Sequence, residues 1–151
     1  MKLEFLMEFN ADIQLPTRNS GVGPIGTRVL AVCTGGDFKG PKLRGKIWAA
    51  GGDWALRRRD GTASLDVRAT LETDDGALIY VQYYGILRPE VGRPTPQPGV
   101  PSEYGDAYFF TAPRFETGDE RYAWLNSLVC VAEGRRTNQG VAYRVYTLQN
   151  D

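Results

Sequence analysis

Hydrophobic and polar residues alternate with a period of two along most of this chain, the spacing expected of β-strands whose two faces meet different environments. The clearest stretch is residues 65–71, where Leu65, Val67 and Leu71 share one face with Ala69, while Asp66, Arg68 and Thr70 share the other. Helical periodicity is nearly absent. The pattern therefore predicts an all-β protein.

Turn signals divide the alternating stretches into hairpins. Asp60-Gly61 and Asp74-Asp75-Gly76 each separate two alternating runs, and Asp-Gly is a strong signal for a tight β-hairpin. Proline and glycine punctuate residues 16–24 and again residues 88–106, which we therefore predict to be loops. One helical turn is expected within residues 118–122. The predicted strands cover residues 2–13, 27–34, 43–50, 54–59, 64–73, 77–87, 107–117, 123–133 and 141–149.

The order of these elements predicts how the sheet is arranged. Sequential hairpins favour a meander, and closing the sheet removes its exposed edges. Glycines inside the predicted strands, such as Gly45, are typical of the bends that curl a sheet. We therefore predict one domain over residues 1–151, a closed antiparallel meander β-barrel of about 8–10 strands. Pro113 in the strand 107–117 indicates an edge or a bulge.

Charge and hydropathy limit the kinds of molecule that this chain is expected to bind. Eighteen basic and eighteen acidic side chains cancel, so we expect no long-range field that attracts nucleic acid or an anionic membrane. The apolar runs are of strand length, well short of the roughly 20 residues of a membrane helix. The start of the chain, Met1–Phe5, lacks the pattern of a signal peptide. We therefore expect a cytoplasmic protein whose partner is a small-molecule ligand or substrate. The sequence does not decide whether the chain forms a homo-oligomer.

The residues that are missing restrict the chemistry further. The chain contains no histidine, which excludes Ser-His-Asp and Cys-His nucleophile pairs and any histidine metal ligand or general base. Cys33 and Cys130 are far apart and lie in apolar runs, so we interpret them as buried small hydrophobic residues. No metal and no organic cofactor is predicted. Any catalysis would use carboxylates, Tyr, Arg, Lys, Trp or backbone dipoles.

Two interpretations remain open for the polar face of residues 65–71. Asp66 and Arg68 form a solvated ion pair of little energetic value if this face is outside, and the pattern alone favours that interpretation. If the face is inside, Arg68 anchors a carboxylate or an enolate and Asp66 orients it. Aromatic residues with polar tips are frequent elsewhere, and most of them are explained by packing.

Several motifs in a fixed order resemble one known family. They are GGDFKGPKLRGKIWAAGGDW, LDVR, TDDGALIYVQYYG and RFETGDERYAWLN. The ordered set is similar to the β-barrel family catalogued as domain of unknown function 3237, from about residue 3 to the C-terminus. The resemblance implies a compact closed barrel, and some relatives are associated with cyclisation or elimination chemistry. Carried over to this chain, the family's recurrent polar and aromatic positions are Asp53, Trp54, Asp66, Arg68, Tyr83, Glu116, Tyr122, Trp124 and Asn126.

We combine the residue patterns and the resemblance into one hypothesis, a cofactor-free lyase or isomerase acting next to a carbonyl of a small, partly hydrophobic or aromatic metabolite inside the barrel. Arg68 would stabilise an enolate, and Asp53, Asp66 or Glu116 would move a proton. Tyr83 or Tyr122 would donate a hydrogen bond to the carbonyl. The substrate-binding set is completed by the aromatic walls Trp54 and Trp124 and by Asn126.

Two other hypotheses come from different functional classes. A non-catalytic barrel would hold a hydrophobic metabolite with the same residues. A partner-docking module would rest on the loop 88–106 alone. A buried carboxylate beside an arginine and a tyrosine hydroxyl favours the enzyme, whereas a purely apolar interior favours the binding barrel.

Overall fold

The computed structural model describes residues 1–151, and nearly all of its regular structure is antiparallel β-sheet. Eight strands close into a barrel, and the sheet includes two additional strands. The barrel predicted from the sequence is thus confirmed. The strands are β1 (Lys2–Ile13), β2 (Arg18–Gly23), β3 (Gly26–Lys39), β4 (Arg44–Ile47), β5 (Gly52–Arg57), β6 (Ala63–Thr73), β7 (Leu78–Pro89), β8 (Ala107–Glu116), β9 (Cys130–Arg136) and β10 (Gly140–Gln149).

Neighbouring strands follow one another around most of the wall. From β6 to β10 each strand pairs with the next, β1 pairs with β10, and β1 also pairs with β3 to close the ring. β4 and β5 lie one after the other between β3 and β6, so they share a position in the wall. β2 pairs with β3 beyond this ring. The topology is the predicted meander.

Alternation along the strands places the core inside the barrel. In β6, Leu65, Val67, Ala69 and Leu71 are buried, whereas Arg68 on the other face is exposed. Cys33 and Cys130 are both buried free thiols, in agreement with their interpretation as small core residues. In β6 the apolar face thus lines the interior, as expected when a small barrel is filled by its own side chains.

Glycines allow the wall to bend where strands cross closely. The sequence predicted that Gly35-Gly36 would end a strand, but β3 continues through both to Lys39. Gly36 has φ of 136°, and a Cβ there would lie 2.0 Å from the carbonyl oxygen of Asn10 on β1. A Cβ at Gly45 would lie equally close to the carbonyl oxygen of Glu72. These residues therefore permit close approach within a continuous sheet.

Three other boundaries differ from the prediction. The predicted loop 16–24 contains β2, and the predicted strand 43–50 ends at Ile47. The predicted strand 123–133 begins only at Cys130, because residues 120–127 form a 3₁₀ helix. Asp119 caps this helix by accepting a hydrogen bond from the backbone N–H of Arg121 at 3.0 Å. Local capping thus overrides the weak strand pattern there.

The two ends of the barrel are built differently. The 3₁₀ helix lies against the end where β6 finishes and β7 begins, and its Leu125 is fully buried. We call this the closed end. The other end, where β7 finishes and β8 begins, is bordered by the loop 90–106, and we call it the open end. The structure contains no helix of the length and apolarity needed to cross a bilayer.

Candidate functional site

Two connected cavities occupy the barrel interior towards the open end. The inner cavity has a volume of about 50 Å³, and twelve of its sixteen lining residues are hydrophobic. The outer chamber has a volume of about 260 Å³ and is bordered by strand residues and by the loop segment Thr95–Pro98. Four residues line both spaces, namely Ala31, Asp53, Leu65 and Arg136. The junction thus contains one carboxylate and one guanidinium.

Asp53 points inward from β5, the strand that bridges β3 and β6. Its carboxylate oxygen Oδ1 accepts a hydrogen bond from the backbone N–H of Asp66 at 3.0 Å. Burial raises the pKa of Asp53 from its ordinary value of 3.8 to about 6, against the opposing effects of that N–H and of Arg136. A carboxylate with such a pKa both accepts and releases protons near neutral pH.

Arg136 enters the junction from the last position of β9. Its Nε is buried and has no hydrogen-bond partner, and burial lowers the pKa of its guanidinium. Arg136 forms no ion pair with any carboxylate within 4.0 Å, Asp53 included. A buried polar group without a partner is costly, so this donor is free to bind a group that enters the junction.

Two buried tyrosines stand beside this pair. Tyr83 on β7 and Tyr143 on β10 line the inner cavity, and their ring centroids are 5.4 Å apart in an edge-to-face arrangement. Burial raises the pKa of both hydroxyls. Both therefore remain protonated at neutral pH and are able to donate hydrogen bonds. Phe9 and Phe109 contact Tyr143 and complete an aromatic wall.

The loop at the open end is attached directly to this site. Ser102 accepts a hydrogen bond from the backbone N–H of Arg136 at 3.0 Å and donates its own backbone N–H to the Arg136 carbonyl at 3.1 Å. Within the loop, Arg93 and Asp106 form an ion pair at 2.7 Å. The proline-rich segment is thus held over the outer chamber by defined contacts.

Comparison with known proteins identifies the family. The family described as "Protein of unknown function (DUF3237)" matches residues 1–148. The chain belongs to this family. A curated DUF3237 relative from Rhodopseudomonas palustris, a UPF0311 protein, is 33% identical over 130 residues, which are 84% of this chain and 85% of the relative.

Solved structures show the same barrel. A β-barrel-like protein from Acinetobacter baumannii is 33% identical, with a TM-score of 0.84 and coverage of 98% of this chain and 96% of that one. The crystal structure of the R. palustris protein gives a TM-score of 0.87 at 29% identity, covering 99% of each chain. A protein from Penicillium herquei described as an enzyme has the same fold at 23% identity, with a TM-score of 0.74 and coverage of 98% and 94%.

The structure brings together few of the site residues predicted for this DUF3237 chain. Asp53 and Tyr83 lie in the interior. Arg68 borders the inner cavity, but its side chain is 49% exposed and its guanidinium faces Asp66 at 3.7 Å. The hypothesis that the Asp66–Arg68 face points into the barrel is therefore wrong, because β6 places its apolar face there.

The remaining predicted site residues lie outside this interior. Trp54 is 41% exposed on the outer face of β5, and Glu116 is exposed at the end of β8. Tyr122, Trp124 and Asn126 belong to the 3₁₀ helix at the closed end. There the Tyr122 hydroxyl donates to the Asp75 carboxylate at 2.9 Å, and Asn126 bonds both the N–H and the carbonyl of Thr117. Lys42 Nζ lies 5.5 Å from the centroid of the Trp124 ring, so all three residues make contacts within the protein at the closed end.

Sequence reasoning missed Arg136 and Tyr143. The signal for Tyr143 was present, since it alternates with Val141 and Val145 in a strand whose boundaries were nearly correct. Arg136 shares the inward face of β9 with Cys130, but the predicted strand stopped at residue 133. Because the predicted strand ended three residues too early, Arg136 was not recognised as part of it. No group of three or more Cys, Asp or Glu side chains is arranged to hold a metal ion.

Proposed function

We propose that this DUF3237 protein is a cofactor-independent enzyme that transfers a proton next to a carbonyl of a small, partly hydrophobic metabolite, as in a lyase or isomerase. The observation that supports the proposal is the junction itself. It combines the inward-facing Asp53 carboxylate, with a pKa of about 6, and the Arg136 guanidinium, whose buried Nε has no partner.

Each residue has a defined part in the proposed reaction. The Asp53 carboxylate takes a proton from the carbon next to the carbonyl, the electron pair of the broken C–H bond forms the C=C bond of an enolate, and the π pair of the carbonyl moves onto its oxygen. Arg136 donates to that enolate oxygen, which bears more negative charge than the ground-state carbonyl. In an isomerisation, Asp53 then returns the proton to carbon as the carbonyl re-forms. In an elimination, the carbonyl re-forms, a C=C bond forms to the next carbon as its bond to the leaving group breaks, and that group takes the proton from Asp53. Tyr83 and Tyr143 offer further donors along the aromatic wall.

Deuterium exchange tests the proton transfer without knowledge of the natural substrate. Ethyl acetoacetate is neutral and small, and exchange of its C2 hydrogens in D2O is followed by proton NMR. We expect the protein to accelerate this exchange, with a rate that rises with pH through about 6 because the Asp53 carboxylate is the active form. Asp53→Asn should lose at least about 100-fold of the acceleration, the usual contribution of a general base.

Arg114→Gln is the matched control, because Arg114 is exposed on the outer face of β8 and borders neither cavity. It should exchange the probe at the parental rate. Arg136→Lys retains the positive charge but loses the fork of donors, so an intermediate rate is expected. An Asp53→Asn protein that accelerates exchange as well as the parent would overturn the assignment of Asp53 as the base.

A non-catalytic binding barrel is the second candidate, favoured by the mostly apolar lining of the inner cavity. It predicts saturable binding of the probe with no acceleration of exchange in any variant. Mass spectrometry of small molecules that copurify with the protein would then identify the ligand.

A further inference from the structure

The outer chamber contains a second arginine that the proton transfer does not use. Arg57 lies at the end of β5, on the same strand face as Asp53, and borders the chamber. It forms no ion pair within 4.0 Å. Asp53, Arg57 and Arg136 are the charged residues that line the chamber. With Asp53 ionised the lining therefore still carries one net positive charge.

The two cavities differ in what they can hold. An apolar cavity of about 150 Å³ accommodates a benzene ring, and a single water needs only about 10–15 Å³. The inner cavity, at about 50 Å³, is suited to a small aliphatic group. The outer chamber is several times larger and is bordered by uncharged loop residues, Thr95–Pro98, opposite Arg57. The site therefore has a narrow apolar part and a wider cationic part.

We propose that the substrate of this site is an anion, with a small apolar group in the inner cavity and a carboxylate bound by Arg57 in the outer chamber. This inference rests on the proposed function, because it places the reacting carbonyl between the two groups at the Asp53–Arg136 junction. Arginine suits this role, since its planar fork of donors matches the two oxygens of a carboxylate. Arg136 remains available for the enolate oxygen.

The electrostatic surroundings support an anionic substrate. Arg57, the last residue of β5, begins a run of three arginines that continues with Arg58 and Arg59 in the connection to β6. Arg58 donates to Ser64 at 2.6 Å and is thereby directed away from the chamber. Arg59 is exposed and does not border the chamber. Arg57 is thus distinguished by its position from two neighbours of identical charge.

A matched pair of probes tests the carboxylate subsite in the full chain. 3-Methylbutanoate and 3-methylbutanamide have nearly the same shape, and only the first is charged. Dissociation constants are measured by NMR titration at fixed ionic strength. We expect the carboxylate to bind at least about tenfold more tightly than the amide, the size of one charge-assisted hydrogen-bonded pair.

Variants of the arginine run identify the residue responsible. Arg57→Gln should reduce the preference for the carboxylate to less than about threefold. Arg59→Gln removes the same charge from the same turn and should leave the preference intact. Thermal unfolding of each variant shows whether it is folded. A loss of binding in Arg57→Gln is therefore interpreted only if this variant unfolds at the same temperature as the parent. Arg57→Lys, which keeps the charge, provides a second variant and should retain a reduced preference.

Three results would overturn the proposal. They are equal affinities for the two probes, equal losses in Arg57→Gln and Arg59→Gln, or no saturable binding of either probe at millimolar concentration. Asp53→Asn separates this inference from the proposed function. It should abolish exchange of ethyl acetoacetate yet keep the preference for the carboxylate. A preference that depends on Arg57 in a protein without exchange activity would support the anion subsite and reject the proton transfer.

Discussion

The open and closed ends of the barrel contain similar kinds of polar residue, but they use them differently. At the closed end, Asp75 accepts from Tyr122 at 2.9 Å and lies 3.3 Å from Arg121, which also pairs with Asp119 at 2.8 Å. At the open end, Arg57 and Arg136 have no carboxylate within 4.0 Å. Polar groups that satisfy one another stabilise structure, whereas those left without partners are available to a ligand.

Cavity size alone would point to the closed end. A groove of about 370 Å³ at the closed end is larger than either interior cavity. Its acidic residues are already paired, as in the contact between Arg44 and Asp74 at 3.1 Å. The buried donor without a partner, Arg136 Nε, and the carboxylate of raised pKa, Asp53, lie instead at the junction of the two smaller cavities. The two ends of the barrel therefore differ in whether their polar groups already have partners, and the volumes of their cavities do not reveal this difference.

Removing the apolar anchor of the closed end should have the largest effect on stability. Leu125 is 1% exposed beneath the 3₁₀ helix, and Leu125→Ala should lower the free energy of unfolding by about 2–5 kcal/mol through lost burial and a cavity. Urea unfolding measures the change. Val129→Ala, at a position that is 65% exposed, is the control and should change stability little. A loss as small as that of the control would show that the helix is not an integral part of the core.

Asp53→Asn should do the opposite at the open end and stabilise the protein. The pKa of Asp53 is raised from 3.8 to about 6 by burial, so the folded state holds its proton to higher pH than the unfolded state does. Stability of the parent should consequently fall as pH rises from about 4 to 6. The variant should match the parent below pH 4 and exceed it by as much as about 3 kcal/mol at pH 8.

Unfolding experiments across this pH range measure both the direction and the size of the change in stability. A parent whose stability instead rises relative to Asp53→Asn between about pH 4 and 6 would mean that Asp53 is stabilised as a carboxylate. That result would contradict the raised pKa of Asp53 in the folded state.

Asn126 provides a smaller test of the closed end. Its side chain accepts from the Thr117 N–H at 2.8 Å and donates to the Thr117 carbonyl at 2.9 Å. Asn126→Ala should cost about 1–2 kcal/mol, because both backbone groups lose their partner. Asn126→Asp keeps the acceptor but turns a second carboxylate oxygen towards the Thr117 carbonyl, so it should cost at least as much. Neither variant should alter exchange of ethyl acetoacetate, and a selective loss of exchange would restore Asn126 as a site residue.

Arg68→Gln should have the smallest effect of all. Its partner Asp66 is 3.7 Å away, and its side chain is about half exposed, so stability should change by less than about 0.5 kcal/mol. Urea unfolding and the exchange assay measure both properties. A large loss of exchange without loss of stability would mean that the outer face of β6 takes part in the reaction.

Much of the architecture could be predicted from the local pattern of hydrophobic, polar and turn residues. The bounds of β1 were predicted to the residue, and β6 and β7 were predicted within two residues at each end. Period-two alternation and Asp-Gly turns act through neighbours in sequence, so they are visible without the fold. The 3₁₀ helix was less accessible, since its cap at Asp119 and its burial depend on the barrel end beneath it.

The sequence by itself determined the fold class and the absence of histidine, which limits the available side-chain acids and bases to groups such as carboxylates and tyrosines. Alternation assigns residues to one of two faces but does not say which face is inside, so Asp53 and Glu116 were indistinguishable as candidate bases. Only the tertiary structure decided this, because closure of the sheet buries Asp53 and brings Arg136 from β9, more than eighty residues away, to the same junction.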